Sequence, residues 1–320
     1  MLLTTLIILT MFKDNINLGV FMEPCTLKGR YGHLFGALSK VAKAPTKINE
    51  ENVYQEANKD ILPFMDGMLT DNFLPGSCLK GLDNFQKFLD QIKEGKRGLI
   101  LMEHYSNLDL PALSFLLRRD GGEMGKDLAG RIVAIAGMKL NEDNDMVRAW
   151  AEGYSRIVIY PSRSLASITD PVLYEAEEAK SKKINMASMR ALDAARKRGQ
   201  AVLVFPSGTR YRPGMPETKK GVREIDSYLR LSDVMILVSI NGNCLRISED
   251  NPKDMLNDTV QEDVMILSGS PVMECKKFRN DILAGLDDYE GDKKQVVVDR
   301  VMEIFDELHD AVEKERVKLL

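Results

Sequence analysis

The sequence contains little that would build a disulfide scaffold or a metal site. Its 320 residues include only four cysteines, and these form no CxxC pair and have no histidine at metal-ligand spacing. Cysteines without such spacing favour a reducing compartment. We therefore expect no metal and no cofactor. The four cysteines are Cys25, Cys78, Cys244 and Cys275.

Long apolar runs are also missing. A membrane-spanning helix needs about 20 apolar residues, whereas the apolar start of the chain, MLLTTLIILTMF, ends before Lys13. This start has no basic residues before it and no small-residue cleavage site, so a signal peptide fits poorly. A buried first helix, an interfacial anchor or a start codon placed too early stay open for residues 1–21. We expect a cytoplasmic protein that is soluble or peripheral to a membrane.

The charge balance excludes an overall nucleic-acid-binding signature. Forty-four basic and 48 acidic residues leave a net charge of −4, and 44% hydrophobic with 29% charged residues is typical of a soluble globular protein. The segment Ser181–Arg230 differs, because it carries twelve Lys and Arg against four Asp and Glu. It could meet an anionic partner, such as an acidic carrier protein or an anionic membrane, or it could be a solvated helix face.

The hydrophobic pattern predicts two parts. Residues 1–95 show apolar spacings of three and four without a convincing strand, which indicates a smaller N-terminal helical domain. Residues 96–320 alternate short β-branched runs with helical stretches, which predicts an α/β domain with a mainly parallel mixed sheet covered by helices. The strand candidates are RGLILME, RIVAIAG, RIVIY, AVLVF, VMILVSI and VMILSG.

Ligands in such sheets gather at the carboxyl ends of strands, and one of these ends carries a histidine followed by a carboxylate. His104 follows RGLILME, and Asp109 comes five residues later, where Pro111 indicates the start of a helix. A carboxylate there can bind one imidazole nitrogen while the other faces the crevice, which is the arrangement of a general base. Alternatively, His104 is a satisfied polar residue at a strand end and Asp109 a helix cap.

Cations follow three other strands. Arg210 and Arg212 lie in the Pro- and Gly-rich turn PSGTRYRP, and two guanidinium groups so close suit a phosphate. Lys139 and Arg163 come after RIVAIAG and RIVIY. The alternative is a solvated basic loop. Ser207 is not in a GxSxG elbow, so a serine nucleophile is not expected.

Two motifs of the sequence resemble those of a known family. HYSNLD matches the His-x4-Asp block of the glycerolipid acyltransferases, and VLVFPSGTRYRP resembles their Phe-Pro-(Glu/Ser)-Gly-(Thr/Gly)-Arg block. The two blocks occur in the family's order, and the resemblance covers roughly residues 60–275. Ser207, the second arginine and the helical segment before the domain are closest to the soluble, plastid-type glycerol-3-phosphate acyltransferases.

The resemblance implies a reaction of phospholipid biosynthesis. His104 would act as general base on the 1-hydroxyl of glycerol-3-phosphate, and Asp109 would orient it. The hydroxyl would attack the thioester of an acyl carrier protein or of acyl-coenzyme A directly, giving lysophosphatidate. The phosphate would be held by Arg210 and Arg212, with Arg163 and, less directly, Lys139. The oxyanion donor is left open, with a backbone N–H at the start of the helix after His104 as one candidate.

The sequence also departs from the family. Ser162 and Ser164 flank Arg163 where plastid-type enzymes tend to carry consecutive basic residues, so the third phosphate ligand is open. VMILVSINGNC lacks the proline-rich end of many membrane lysophosphatidate acyltransferases. A lysophosphatidate acyltransferase and a non-catalytic lipid-binding protein of the same fold are the alternatives.

Overall fold

The computed structural model describes residues 23–142, 144–252 and 254–320. The expectation for the apolar start of the chain therefore lies outside the described residues. The strands are β1 (Cys25–Thr26), β2 (Tyr54–Gln55), β3 (Cys78–Lys80), β4 (Gly98–Met102), β5 (Ile132–Gly137), β6 (Arg156–Ile159), β7 (Ala201–Val204), β8 (Val234–Asn241), β9 (Leu245–Arg246), β10 (Thr259–Val260), β11 (Ile266–Gly269) and β12 (Met273–Glu274).

The α-helices alternate with these strands along most of the chain. They are α1 (Leu27–Tyr31), α2 (Phe35–Val41), α3 (Leu62–Asn72), α4 (Leu82–Lys93), α5 (Asp109–Asp120), α6 (Gly122–Arg131), α7 (Lys139–Glu142), α8 (Asp145–Ala151), α9 (Ser162–Ala166), α10 (Pro171–Lys197), α11 (Ile225–Arg230), α12 (Cys275–Leu283) and α13 (Lys293–Arg316).

A large mixed sheet organises the fold. Its strands follow the order β2-β6-β5-β7-β4-β8-β11-β3, with β12 beside β8. The five central strands from β6 to β8 run parallel. Strand β2 pairs antiparallel with β6, and β11 pairs antiparallel with β8 but parallel with β3. Strands β1, β10 and β9 form a separate three-stranded sheet. The predicted α/β class is confirmed, and all six predicted strands are present.

The expectation that residues 1–95 contain no strand was wrong. Strand β2 pairs with β6, and β3 pairs with β11, so both belong to the large sheet. Strands of two or three residues are too short to show the alternation by which strands are recognised. Buried side chains of α3 and α4 also share a core cluster with β4. The division into domains 1–95 and 96–320 stays a prediction.

Alternate residues of β4 point into cores on the two faces of the sheet. Ile100 and Met102 pack with the α4–α5 side, whereas Leu99 and Leu101 pack with the side covered by α13. All four are fully buried. A strand buried on both faces is uniformly apolar, which explains why RGLILME reads as a continuous run. The side chains after β4 therefore face two different environments.

The described helices bear on whether the chain could cross a membrane. Among residues 23–142, 144–252 and 254–320, no helix combines the length and the apolar character needed to cross a bilayer. The longest helix, α10, has 27 residues. It carries Lys and Glu along its exposed side, for example Lys182 paired with Glu178.

Helix α5, which begins with Asp109, is packed closely against α6. The close contact depends on Gly125, because a Cβ at this position would lie 1.8 Å from the carbonyl oxygen of Leu117. This oxygen belongs to the backbone, which cannot move aside as the end of a flexible side chain can. Gly130, in the same helix, has open space around the corresponding position.

We predict that Gly125→Ala destabilises the protein by about 1–3 kcal/mol, the usual cost of overpacking a well-packed contact. The matched control is Gly130→Ala, which we expect to be neutral or stabilising by about 0.5–1 kcal/mol, because alanine favours helix. Urea unfolding followed by circular dichroism measures both. Equal stabilities of the two variants would show that the α5–α6 contact is not as close as described.

Candidate active site

The predicted histidine and carboxylate meet at the carboxyl end of β4. His104 lies just beyond the strand, and Asp109 is the first residue of α5, as the position of Pro111 indicated. Nδ1 of His104 lies 2.9 Å from Oδ2 of Asp109. A carboxylate only accepts hydrogen bonds, so Nδ1 carries the proton and donates it to Asp109.

The Asp109 carboxylate is buried and receives four hydrogen bonds. Oδ2 accepts from His104 Nδ1 and from the backbone N–H groups of Tyr105 at 2.7 Å and Ser106 at 2.9 Å. Oδ1 accepts from Ser106 Oγ at 2.8 Å. The side chain is 1% exposed. A buried carboxylate needs such donors, and together they fix its orientation toward the imidazole.

The His104 ring is held on its flat side as well. It stacks on Phe205 with 4.0 Å between ring centroids and 17° between planes. The side chain is 16% exposed, and Nε2 has no hydrogen-bond partner among the described residues. With Nδ1 protonated, neutral His104 keeps the Nε2 lone pair free to accept a proton. The geometry is that of an oriented general base.

Sequence reasoning missed the two residues that complete this arrangement. Ser106 is buried and binds Asp109 through both its side chain and its backbone. Phe205 ends the predicted strand AVLVF and was treated only as part of it. A small hydroxyl residue between His104 and Asp109 was the available signal for the first, because such residues often bond to nearby carboxylates or backbone.

Backbone donors at the start of α5 are already in use. The N–H groups of Tyr105 and Ser106 bind Asp109, and that of Leu108 binds Ser106 Oγ at 3.1 Å. None of these three can donate to an oxyanion without giving up its present bond.

The loop after β7 lies directly against His104. The backbone N–H of Tyr211 donates to the His104 carbonyl oxygen at 2.8 Å. Within the loop, Ser207 Oγ donates to the Thr209 carbonyl at 2.6 Å, and Gly208 adopts a φ of 63°. Ser207 therefore has a local role in the turn.

Arg210 and Arg212 differ in environment although they are two residues apart. Arg210 is buried and forms an ion pair with Asp258, which is itself fully buried. Arg212 is half-buried and has no carboxylate partner among the described residues; its Nη1 lies 3.3 Å from Thr209 Oγ1. The sequence predicts the same phosphate-binding role for the two arginines. It contains no local pattern that indicates Asp258 as a partner, because this residue lies 48 positions further along the chain.

Lys139 and Arg163 lie at the same edge of the sheet. Lys139 begins α7 after β5, and Arg163 lies in α9 after β6. Both are exposed, and neither side chain has a polar partner in the described part of the chain. Neighbouring strands are about 4.8 Å apart, and β5 is two positions from β4 whereas β6 is three. Lys139 is therefore nearer than Arg163 to His104 by sheet position.

The basic segment Ser181–Arg230 is partly neutralised by carboxylates outside it. Lys182 pairs with Glu178, Lys219 with Asp306 and Arg223 with Asp292. The segment also divides among α10, β7, α11 and the loops between them. Its excess charge is thus smaller at the surface than the count of residues indicated.

Two clefts of the described chain lie away from His104. One of about 450 Å³ is lined by residues around Arg156, and one of about 510 Å³ lies beside Lys183 and Met186. Neither contains a predicted site residue. Among the described residues there is also no group of three or more His, Cys, Asp or Glu side chains placed to hold a metal ion.

Comparison with known proteins agrees with this geometry. Residues 79–237 match the Acyltransferase family. The match covers just under half of the chain and includes β4, the His104–Asp109 pair and the PSGTRYRP turn. It supports acyl transfer to a lipid acceptor as the general activity of residues 79–237. The comparison with curated proteins gives no match.

The buried Arg210–Asp258 pair leads to a prediction on stability. Arg210→Met leaves the Asp258 carboxylate buried without its cation, so we expect a loss of about 3–5 kcal/mol in unfolding free energy. The control is Lys197→Met, which breaks an exposed pair with Asp193 and should leave the urea midpoint close to that of the wild type. Similar midpoints for both variants would contradict the ion pair.

Proposed function

We propose that the protein is a glycerol-3-phosphate 1-O-acyltransferase that uses an acyl thioester as donor. The observation that carries this proposal is the hydrogen bond between His104 Nδ1 and Asp109, which leaves Nε2 available as a base. The match to the Acyltransferase family supports the reaction class. The acceptor follows from the resemblance of HYSNLD and PSGTRYRP to the plastid-type enzymes, together with the cations near the sheet edge.

In the proposed reaction, His104 Nε2 removes the proton of the 1-hydroxyl as its oxygen attacks the thioester carbonyl. The tetrahedral intermediate then expels the thiolate, and the imidazolium gives this proton to the departing thiolate. Asp109 stabilises the positive charge on the ring between these two steps. A positioned base contributes about 10²–10⁴-fold. A thioester is already activated, so the enzyme needs no nucleophile of its own.

Arg212 is the strongest candidate for binding the phosphate. It is half-buried, it follows Tyr211, whose N–H bonds to His104, and no described carboxylate neutralises it. Lys139 and Arg163 would approach from neighbouring strand ends. Arg210 is already paired with Asp258. Its guanidinium has five N–H donors, so it could bind the phosphate and Asp258 at the same time. Binding the phosphate places the hydroxyl beside the base and lowers the entropic cost of reaction.

The donor would be an acyl carrier protein or coenzyme A. A carrier protein is acidic, and the remaining positive charge of Ser181–Arg230 would attract it. The same segment could meet anionic lipid headgroups. The acyl pocket should be an apolar cleft next to His104.

One prediction from the proposed reaction concerns His104. His104→Ala should abolish the formation of lysophosphatidate from glycerol-3-phosphate and palmitoyl or oleoyl donors in both carrier-protein and coenzyme A forms, because the base is lost. Product analysis by mass spectrometry measures this. His33→Ala is the matched control, since His33 lies in a short 3-10 turn at Gly32–Leu34, and it should remain active.

Three outcomes would contradict the proposal in different ways. Full activity of His104→Ala would exclude the base. Phosphatidate formed only from lysophosphatidate would keep the base and change the acceptor. No product from any pair would favour a binding protein that keeps the fold.

Another prediction concerns the binding of the phosphate. Arg212→Ala should raise the KM for glycerol-3-phosphate at least about tenfold, which corresponds to about 1.4 kcal/mol, while the KM for the donor stays unchanged. Steady-state kinetics with each substrate varied separately measures both constants. The control is Arg300→Ala on α13, where the arginine pairs with Glu303 and Glu307. A change in the donor KM alone would assign Arg212 to the donor's phosphates.

A further inference from the structure

The residue before the base is a buried glutamate on the other face of the sheet. Glu103 continues β4, and its N–H donates to the Val238 carbonyl of β8 at 3.1 Å. Its side chain is 3% exposed and lies toward α13, whereas His104 packs on Phe205 on the opposite face. A charged side chain in this position is costly unless it is satisfied by donors.

Three groups surround the Glu103 carboxylate. Tyr105 donates its hydroxyl to Oε1 at 2.8 Å, and the Ile240 N–H donates to Oε2 at 2.7 Å. Nδ1 of His309, on α13, lies 3.5 Å from Oε2. The nearby carboxylate raises the pKa of His309, because it stabilises the protonated ring. Glu103 thus connects the ends of β4 and β8 to the C-terminal helix.

Tyr105 joins this carboxylate to the one that holds the base. Its hydroxyl binds Glu103, and its backbone N–H binds Asp109 at 2.7 Å. Its ring packs edge-on against Tyr211 with 5.9 Å between centroids. The side chain and the backbone of one residue therefore contact two buried carboxylates on opposite sides of the strand.

The peptide unit between His104 and Tyr105 is consequently fixed at both ends. Its carbonyl accepts from the Tyr211 N–H at 2.8 Å, and its N–H donates to Asp109. Rotation of this unit would misplace the imidazole and weaken a bond of the Asp109 carboxylate at the same time. The Tyr105 side chain opposes that rotation, because its hydroxyl is tied to Glu103.

We infer that Tyr105 and Glu103 are positioning residues for the His104–Asp109 pair. They act through the His104–Tyr105 peptide unit and touch no reacting atom. This role rests on the proposed use of His104 as a base, and it gives a function to the charged residue at the end of an otherwise apolar strand. Misplacement of a base by about 1 Å can cost on the order of 100-fold in rate.

The test is Tyr105→Phe, which keeps the ring and removes only the bond to Glu103. We expect kcat to fall about tenfold to a hundredfold, with the KM for glycerol-3-phosphate unchanged, because the phosphate contacts are untouched. Glu103→Gln should also lower kcat, because its single amide oxygen cannot accept from both the Tyr105 hydroxyl and the Ile240 N–H. The double variant should lose less than the product of the two single losses, since both changes affect the Tyr105–Glu103 bond. Tyr154→Phe is the control, because the buried Tyr154 hydroxyl has no described partner.

A second measurement does not depend on turnover. Hydrogen exchange by mass spectrometry should show faster exchange in the peptide around residues 104–109 in Tyr105→Phe and no change there in Tyr154→Phe. Unchanged exchange with wild-type kcat would overturn the positioning role. A wild type without acyl transfer, or an active His104→Ala, would instead overturn the proposed function. The exchange result would then decide only whether the Tyr105–Glu103 bond holds residues 104–109 in place.

Discussion

The site depends on the burial of one carboxylate. Asp109 is almost fully shielded from water, and its charge is tolerated because four donors surround it. All four belong to His104, Tyr105 and Ser106, so the short segment between strand and helix must adopt one conformation. The same condition that makes the carboxylate stable also sets the proton on His104 Nδ1 and leaves Nε2 available.

The sheet extends this local order over a longer distance. Because alternate residues of a strand face opposite sides, the end of β4 places His104 in one core and Glu103 in the other. Each is attached to a neighbouring strand end: His104 through Tyr211 after β7, and Glu103 through Ile240 of β8. The His104–Asp109 pair is therefore supported by β4, by the adjacent strand β8 and by the loop that follows β7.

The arginines of the PSGTRYRP turn show how tertiary contacts separate residues that look equivalent. Arg210 finds Asp258 next to β10 and becomes buried, whereas Arg212 stays half-buried without a described carboxylate partner. Burial of an ion pair is retained only with good geometry, because both charges lose their water. One arginine is thus committed to an ion pair within the structure, whereas the other keeps its charge without a described carboxylate partner.

The sequence by itself determined the class of fold and the pairing of His104 with Asp109. The six apolar runs, the helix start near Pro111 and the His104–Asp109 spacing are local signals, and each is confirmed, because strand burial and helix initiation depend on neighbouring residues. The short strands β2 and β3, the Arg210–Asp258 pair and the Glu103–His309 contact join residues far apart in the chain. Only the tertiary structure decided these, since no local pattern specifies which distant group will satisfy a buried charge or extend a sheet.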